Sequence, residues 1–198
     1  MTSTLTIRVE LPNDRAKTGT LALIDPITGL PIAGPFPVLG RAARNTAANK
    51  GNPGADPLKP YGDTPLGGYR IDRIQSNGPG TTRPEEIYGA AGSIVMDPVS
   101  GDAAAAEANG RTGLLIHAGR QISSPTPLPS HLKVTNGCLR MLENDLKNLI
   151  VKIEENSYLF PGKVSIEIAP TDGPRGDIDE NIEEGDPPPM GTGDIILP

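Results

Sequence analysis

Cysteine is nearly absent from this chain: there is one, Cys138, in 198 residues. A single thiol excludes an internal disulfide framework, and an oxidising compartment would offer it no partner within its own chain. Histidine is as scarce, with only His117 and His131. Basic clusters are missing too: the net charge is -6 and the sequence pI is about 4.9. No run of Lys and Arg is available to neutralise phosphates, which argues against a nucleic-acid partner. No stretch approaches the roughly 20 apolar residues of a membrane span. Residues 1–10 carry neither the basic n-region nor the apolar h-region of a secretory signal.

The length suits one domain with an extension. We read a domain over residues 1–170 and a tail over 171–198, where Asp, Glu, Gly and Pro dominate and Ile195, Ile196 and Leu197 form the one apolar break. Composition makes this a solvated acidic tail; the sharper alternative is a docking or delivery peptide with an apolar hook. The opening Leu5-Thr6-Ile7-Arg8-Val9 alternates as a half-buried strand, residues 20–24 read as a second, and 31–39 as a proline-interrupted third near an edge. Together they predict an antiparallel meander.

Residues 41–62 lack periodicity and read as a long loop with at most a helical turn. Residues 68–74 alternate as a strand with Tyr69 and Ile71 on one face, 93–96 form another, and 97–102 are a turn by composition. Residues 103–107 are too short for a confident helix. Residues 111–117 fit a buried strand that delivers His117 at its end, and 163–168 fit the last strand. Leu142, Leu146, Leu149, Ile150 and Ile153 recur at helical spacing behind Glu143 and Asn144. The expected fold class is therefore mainly β, with one clear helix.

Both histidines and the cysteine fall within residues 113–141. A lone Cys is most often a small buried hydrophobe. This one follows Asn136-Gly137, precedes Leu139-Arg140, and lies a few residues before a helix, where orphan N–H groups and the macrodipole favour a thiolate. As a nucleophile it needs a base, either His117 or the nearer His131. A metal site built on His117, His131 and Cys138 lacks a fourth ligand and a fitting spacing. Tyr61 and Tyr69 flank a Thr-Pro segment as candidate groove residues, with Tyr69 the better core candidate.

His117, a spacer, then Thr135-Asn136-Gly137-Cys138-Leu139-Arg140 resembles the signature of the L,D-transpeptidases, the YkuD-type cysteine enzymes of bacterial cell-wall synthesis. Asn136 stands where most members carry a second His. Two further blocks resemble the same family in the same order: Asp63-Thr64-Pro65-Leu66-Gly67-Gly68-Tyr69-Arg70-Ile71, and Leu114-Leu115-Ile116-His117-Ala118-Gly119. The resemblance covers roughly residues 20–168 and implies a YkuD-like β-sandwich or barrel. It implies Cys138 as nucleophile and His117 as base, the latter oriented by a backbone carbonyl close in sequence. Thr135, Asn136, Gly137, Arg140 and Ala118 fall at the oxyanion and substrate-binding positions, with the N–H groups around Asn136, Gly137 and Cys138 as oxyanion donors and Arg140 facing a substrate carboxylate or carbonyl. No cofactor and no metal is implied.

The implied substrate is the tetrapeptide stem of peptidoglycan, attacked after the L-centre of diaminopimelate with release of terminal D-alanine. Capture of the acyl-enzyme by a stem amine, a D-amino acid or water would give cross-linking, exchange or L,D-carboxypeptidase activity. Without a recognisable signal, the expectation is a bacterial antagonism effector, such as a type VI secretion cargo, that acts in the periplasm of a target cell. Its tail would then serve delivery or an immunity partner. The alternatives are an ordinary periplasmic L,D-transpeptidase whose leader has been removed, a wall-binding module that has lost turnover, and a cysteine hydrolase of another amide.

Overall fold

The computed structural model describes residues 4–120, 132–159 and 164–172. Among them the chain runs β1 (Thr6–Pro12), β2 (Gly19–Ile24), β3 (Pro31–Leu39), α1 (Arg44–Asn49), β4 (Gly67–Gln75), α2 (Glu85–Tyr88), β5 (Ser93–Ser100), α3 (Asp102–Ala108), β6 (Leu115–His117), β7 (Leu139–Met141), α4 (Glu143–Ser157) and β8 (Ser165–Thr171). The strands close into a barrel in the order β1-β2-β3-β7-β6-β5-β4-β8. Two neighbour pairs are parallel, β1 with β8 and β6 with β7; the others are antiparallel.

Period-two alternation builds the interior. Ile7, Val9 and Leu11 of β1 are fully enclosed, together with Leu21, Leu23, Ile94, Ile116, Ile166 and Ile168 from the strands around them. Each such side chain contributes about 1.5–3 kcal/mol relative to exposure. Helix α4 buries Leu146, Leu149, Ile150 and Ile153 and packs against β3 and β2. The Glu143 carboxylate at its start accepts the Ala91 N–H at 2.5 Å, which ties the helix to the approach of β5.

The antiparallel opening meander is present, and the barrel makes the protein mainly β. Several details differ from the sequence reading. First, β3 is not an edge: it sits between β2 and β7, but it pairs with β7 only at Val38 and Leu39. Pro31, Pro35 and Pro37 therefore lie where no β7 ladder needs their missing N–H. Second, β5 runs on to Ser100 through the expected turn, because Pro98 stands opposite Tyr69 at a register shift, where a ladder tolerates proline. Third, residues 102–108 do form a helix, stabilised by burial of Ala103 and Ala106 rather than by length. Among the described residues helix α4 is thus the longest of four, not the only one. Fourth, the strand over 111–117 spans only Leu115–His117. The last strand continues through Thr171, opposite Pro12, one residue past the expected domain boundary. The tail from 173 onward and His131 lie outside the described residues.

The loop over residues 41–62, which holds α1, is pinned to the segment before Cys138. Asp63 takes Arg44 in a bidentate pair at 2.9 and 3.0 Å and also accepts the Ala42 N–H at 2.8 Å. Ala43 N–H donates to the Thr135 carbonyl at 2.8 Å, and Thr135 N–H to the Arg41 carbonyl at 3.1 Å.

Candidate active site

Parallel pairing of β6 and β7 sets His117 opposite Arg140 and leaves Cys138 immediately before β7. His117 and Cys138 line one cavity of about 350 Å³, together with Thr135, Asn136 and Arg140. Tyr61, Tyr88, Arg83, Arg111 and Arg120 complete its polar wall, and among the described residues that line it there is no carboxylate. Tyr69, by contrast, is a core residue, 2% exposed, whose hydroxyl donates to the Pro65 carbonyl at 2.9 Å.

His117 is enclosed, and its Nδ1 lies 2.7 Å from the Ala118 carbonyl. A carbonyl can only accept, so Nδ1 carries the ring proton and Nε2 keeps its lone pair. The Tyr88 ring covers the imidazole, with centroids 5.1 Å apart and planes tilted by 55°. Tyr88 is itself held by its carbonyl, which accepts the Ala118 N–H and the Asn77 Nδ2, each at 3.1 Å. Asn77 also donates to the Gly89 carbonyl at 2.8 Å and accepts from Ser93 Oγ at 3.0 Å. Asn77 is therefore a buried brace behind the imidazole. Gly119 closes this corner at φ +77°, where a Cβ would stand 2.5 Å from the Ile87 carbonyl.

The segment leading into Cys138 is held from both sides. The Thr135 hydroxyl accepts the Gly137 N–H at 2.9 Å and donates to the Cys138 carbonyl at 2.9 Å. The Gly137 N–H, expected from sequence among the oxyanion donors, is engaged within the loop by this bond. The Gly137 carbonyl accepts Thr64 Oγ1 at 2.8 Å, and one Arg111 nitrogen lies 3.4 Å from it. Gly137 adopts φ +101°, and a Cβ there would stand 2.1 Å from both an Arg111 nitrogen and the Gly62 carbonyl. Only glycine fits. Asn136, half-buried, forms a bridge with Ala42 and faces the cavity.

Arg111 is the principal site residue that sequence reading missed. It is 3% exposed and donates to three backbone carbonyls besides Gly137, those of Pro57 at 2.6 Å, Lys59 at 3.2 Å and Gly62 at 2.7 Å. It thus fastens the loop over residues 57–62 to the cysteine loop with a charge that no carboxylate among the described residues meets through a hydrogen bond. Its place at the head of the His117 stretch was the one available signal.

Burial dominates the electrostatics. It drives the His117 pKa down to about 3, with Arg140 pushing the same way and the bond to Ala118 opposing. It also raises the Cys138 thiol, against a backbone hydrogen bond from Leu115 and the nearby Arg111, Arg140 and Arg83. The cysteine keeps partial solvent access through the cavity even though its sulfur is largely desolvated. The resting pair is therefore thiol and neutral imidazole. The helix assistance to a thiolate expected from sequence is weak at most, because β7 separates Cys138 from α4 and a macrodipole acts only over the first turn.

Among the described residues no group of three His, Cys, Asp or Glu is placed to hold a metal, and no helix is long and apolar enough to cross a membrane. Comparison with models of known protein families and with curated proteins finds no match.

Proposed function

We propose that the chain is a cysteine acyltransferase with a YkuD-like barrel, acting on the tetrapeptide stems of peptidoglycan. The observation that carries the reading is one cavity shared by Cys138 and by an imidazole whose Nδ1 proton is tied to Ala118, leaving Nε2 as the base. Its lining suits the substrate class: Arg83, Arg120 and Arg140 face a cavity with no carboxylate among its described lining residues, which favours a carboxylate-bearing peptide.

In this reading the Cys138 sulfur attacks the peptide carbonyl as its proton passes to His117 Nε2. A C–S bond forms, the C–N bond breaks, and the proton leaves on the released amine. The thioester is resolved by a stem amine, a D-amino acid or water. Because the pair rests neutral, the charges develop only as attack proceeds, and a substrate carboxylate beside Arg140 offsets the guanidinium that weakens His117 as a base. The Cys138 N–H and Asn136 stand as the donors for the developing oxyanion. The site of action would be the bacterial periplasm.

The test is wild type, Cys138→Ala and His117→Ala incubated with disaccharide tetrapeptide, with products resolved by mass spectrometry. Loss of terminal alanine or dimer formation, absent in both variants, is the expected result. An unchanged substrate with wild type would overturn the reading.

A further inference from the structure

We propose that Thr64 and Arg111 are positioning residues that aim the Cys138 N–H by gripping the other side of its peptide plane. The inference rests on the acyl-transfer reading above and adds two residues to it. The Gly137 carbonyl and the Cys138 N–H belong to one trans peptide, so they are coplanar and point in opposite directions. Fixing the first fixes the second.

The grip is a built one. Thr64 is fully buried, and its hydroxyl donates to the Gly137 carbonyl at 2.8 Å from 73 residues away in sequence. Arg111 Nη2 comes within 3.4 Å of the same oxygen while it also donates to Gly62, and Nη1 donates to Pro57 and Lys59. On the near side, Thr135 consumes the Gly137 N–H and the Cys138 carbonyl. The peptides on both sides of the Cys138 α-carbon are thereby oriented before any substrate arrives. Gly137, at φ +101°, could otherwise turn this plane freely. A preorganised N–H costs no reorientation when charge develops on the substrate oxygen, which is what an oxyanion donor requires.

This separates two reactions of one thiol. Acylation passes through a tetrahedral oxyanion and needs the aimed N–H; alkylation by iodoacetamide is a displacement at saturated carbon and does not. The experiment measures both on wild type, Thr64→Val, Thr64→Ser and Arg111→Lys. The acylating probe is p-nitrophenyl acetate, followed by its phenolate burst, and circular dichroism reports folding. Removing one oxyanion donor outright costs about 10²- to 10³-fold. Misaiming it in Thr64→Val should slow acylation about 10- to 100-fold while alkylation stays within about threefold. Thr64→Ser, which keeps the donor, should stay near wild type, and Arg111→Lys, which loses the planar fork, should lie between. Equal acylation in wild type and Thr64→Val overturns the grip, and so does a parallel loss of acylation and alkylation. A wild-type thiol that is alkylated but never acylated overturns the acyl-transfer reading itself, and the grip with it.

Discussion

An imidazole held neutral by burial must weaken the fold in mild acid, and the size of that effect can be worked from the site. In the unfolded chain His117 titrates near the ordinary 6.5; in the folded protein it does so at about 3. As pH falls through 6.5 the unfolded chain takes up a proton that the folded chain refuses. Stability is therefore lost on acidification, over the window between about 6.5 and 3 and at up to about 1.4 kcal/mol per pH unit. At pH 5 the unfolded imidazole is almost fully protonated and the folded one is not, which costs about 2 kcal/mol relative to pH 8. Carboxylates titrate too, so the measurement is a difference: urea unfolding at pH 8 and pH 5 for wild type and His117→Gln. Far-UV circular dichroism is the suitable probe, since the chain has no Trp. Wild type should lose about 2 kcal/mol more than the variant between the two pH values. Equal losses would refute the buried neutral base, and with it the tautomer argument built on Ala118.

Two further outcomes follow from the same site. The alkylation rate of Cys138 by iodoacetamide should climb about tenfold per unit from pH 6 to pH 8, because burial raises the thiol and no imidazolium is present to hold a thiolate; a plateau below pH 7 would reveal an ion pair instead. Gly137→Ala forces a side chain into a φ of +101° and to within 2.1 Å of Arg111 and Gly62, so it should lower stability by about 2 kcal/mol or more and abolish acylation. Retention of wild-type unfolding and acylation would mean that the loop relaxes at little cost.

Sequence pattern located the strands where alternation and burial coincide, as in β1, β2 and β8, and the helix whose apolar residues recur every three or four positions. It failed where tertiary packing overrides local signals. The alanines of α3 form a helix because Ala103 and Ala106 are buried, and Pro98 stays in β5 because a register shift absorbs it. At the site, the cysteine, the nearer backbone and the candidate base were legible because cysteine and histidine are rare here. Arg111 was not, since an arginine closed off by four backbone carbonyls looks like any surface arginine in sequence. The use of the Gly137 N–H by Thr135 was equally hidden. That bond decides which amides remain for substrate, yet it leaves no trace in residue type.

The spacing between His117 and Cys138 has a topological origin. Strands β6 and β7 are parallel neighbours, and parallel strands cannot be joined by a tight turn; they need a crossover of a dozen residues or more. The twenty-one residues 118–138 supply it. Had the two strands been antiparallel, a short hairpin would have sufficed, and the histidine at the end of one strand would have met the residue at the start of the next. In the parallel arrangement His117, the last residue of β6, stands in register with Arg140, inside β7, and the cysteine falls in the loop that precedes the ladder. A cysteine at a strand's N-terminal threshold keeps its own N–H clear of the regular part of the sheet, but it also loses the sheet as a support. The contacts from Thr64, Arg111 and Thr135 replace that support, which is why the Asp63-Thr64 block, far upstream in sequence, reaches the cysteine loop.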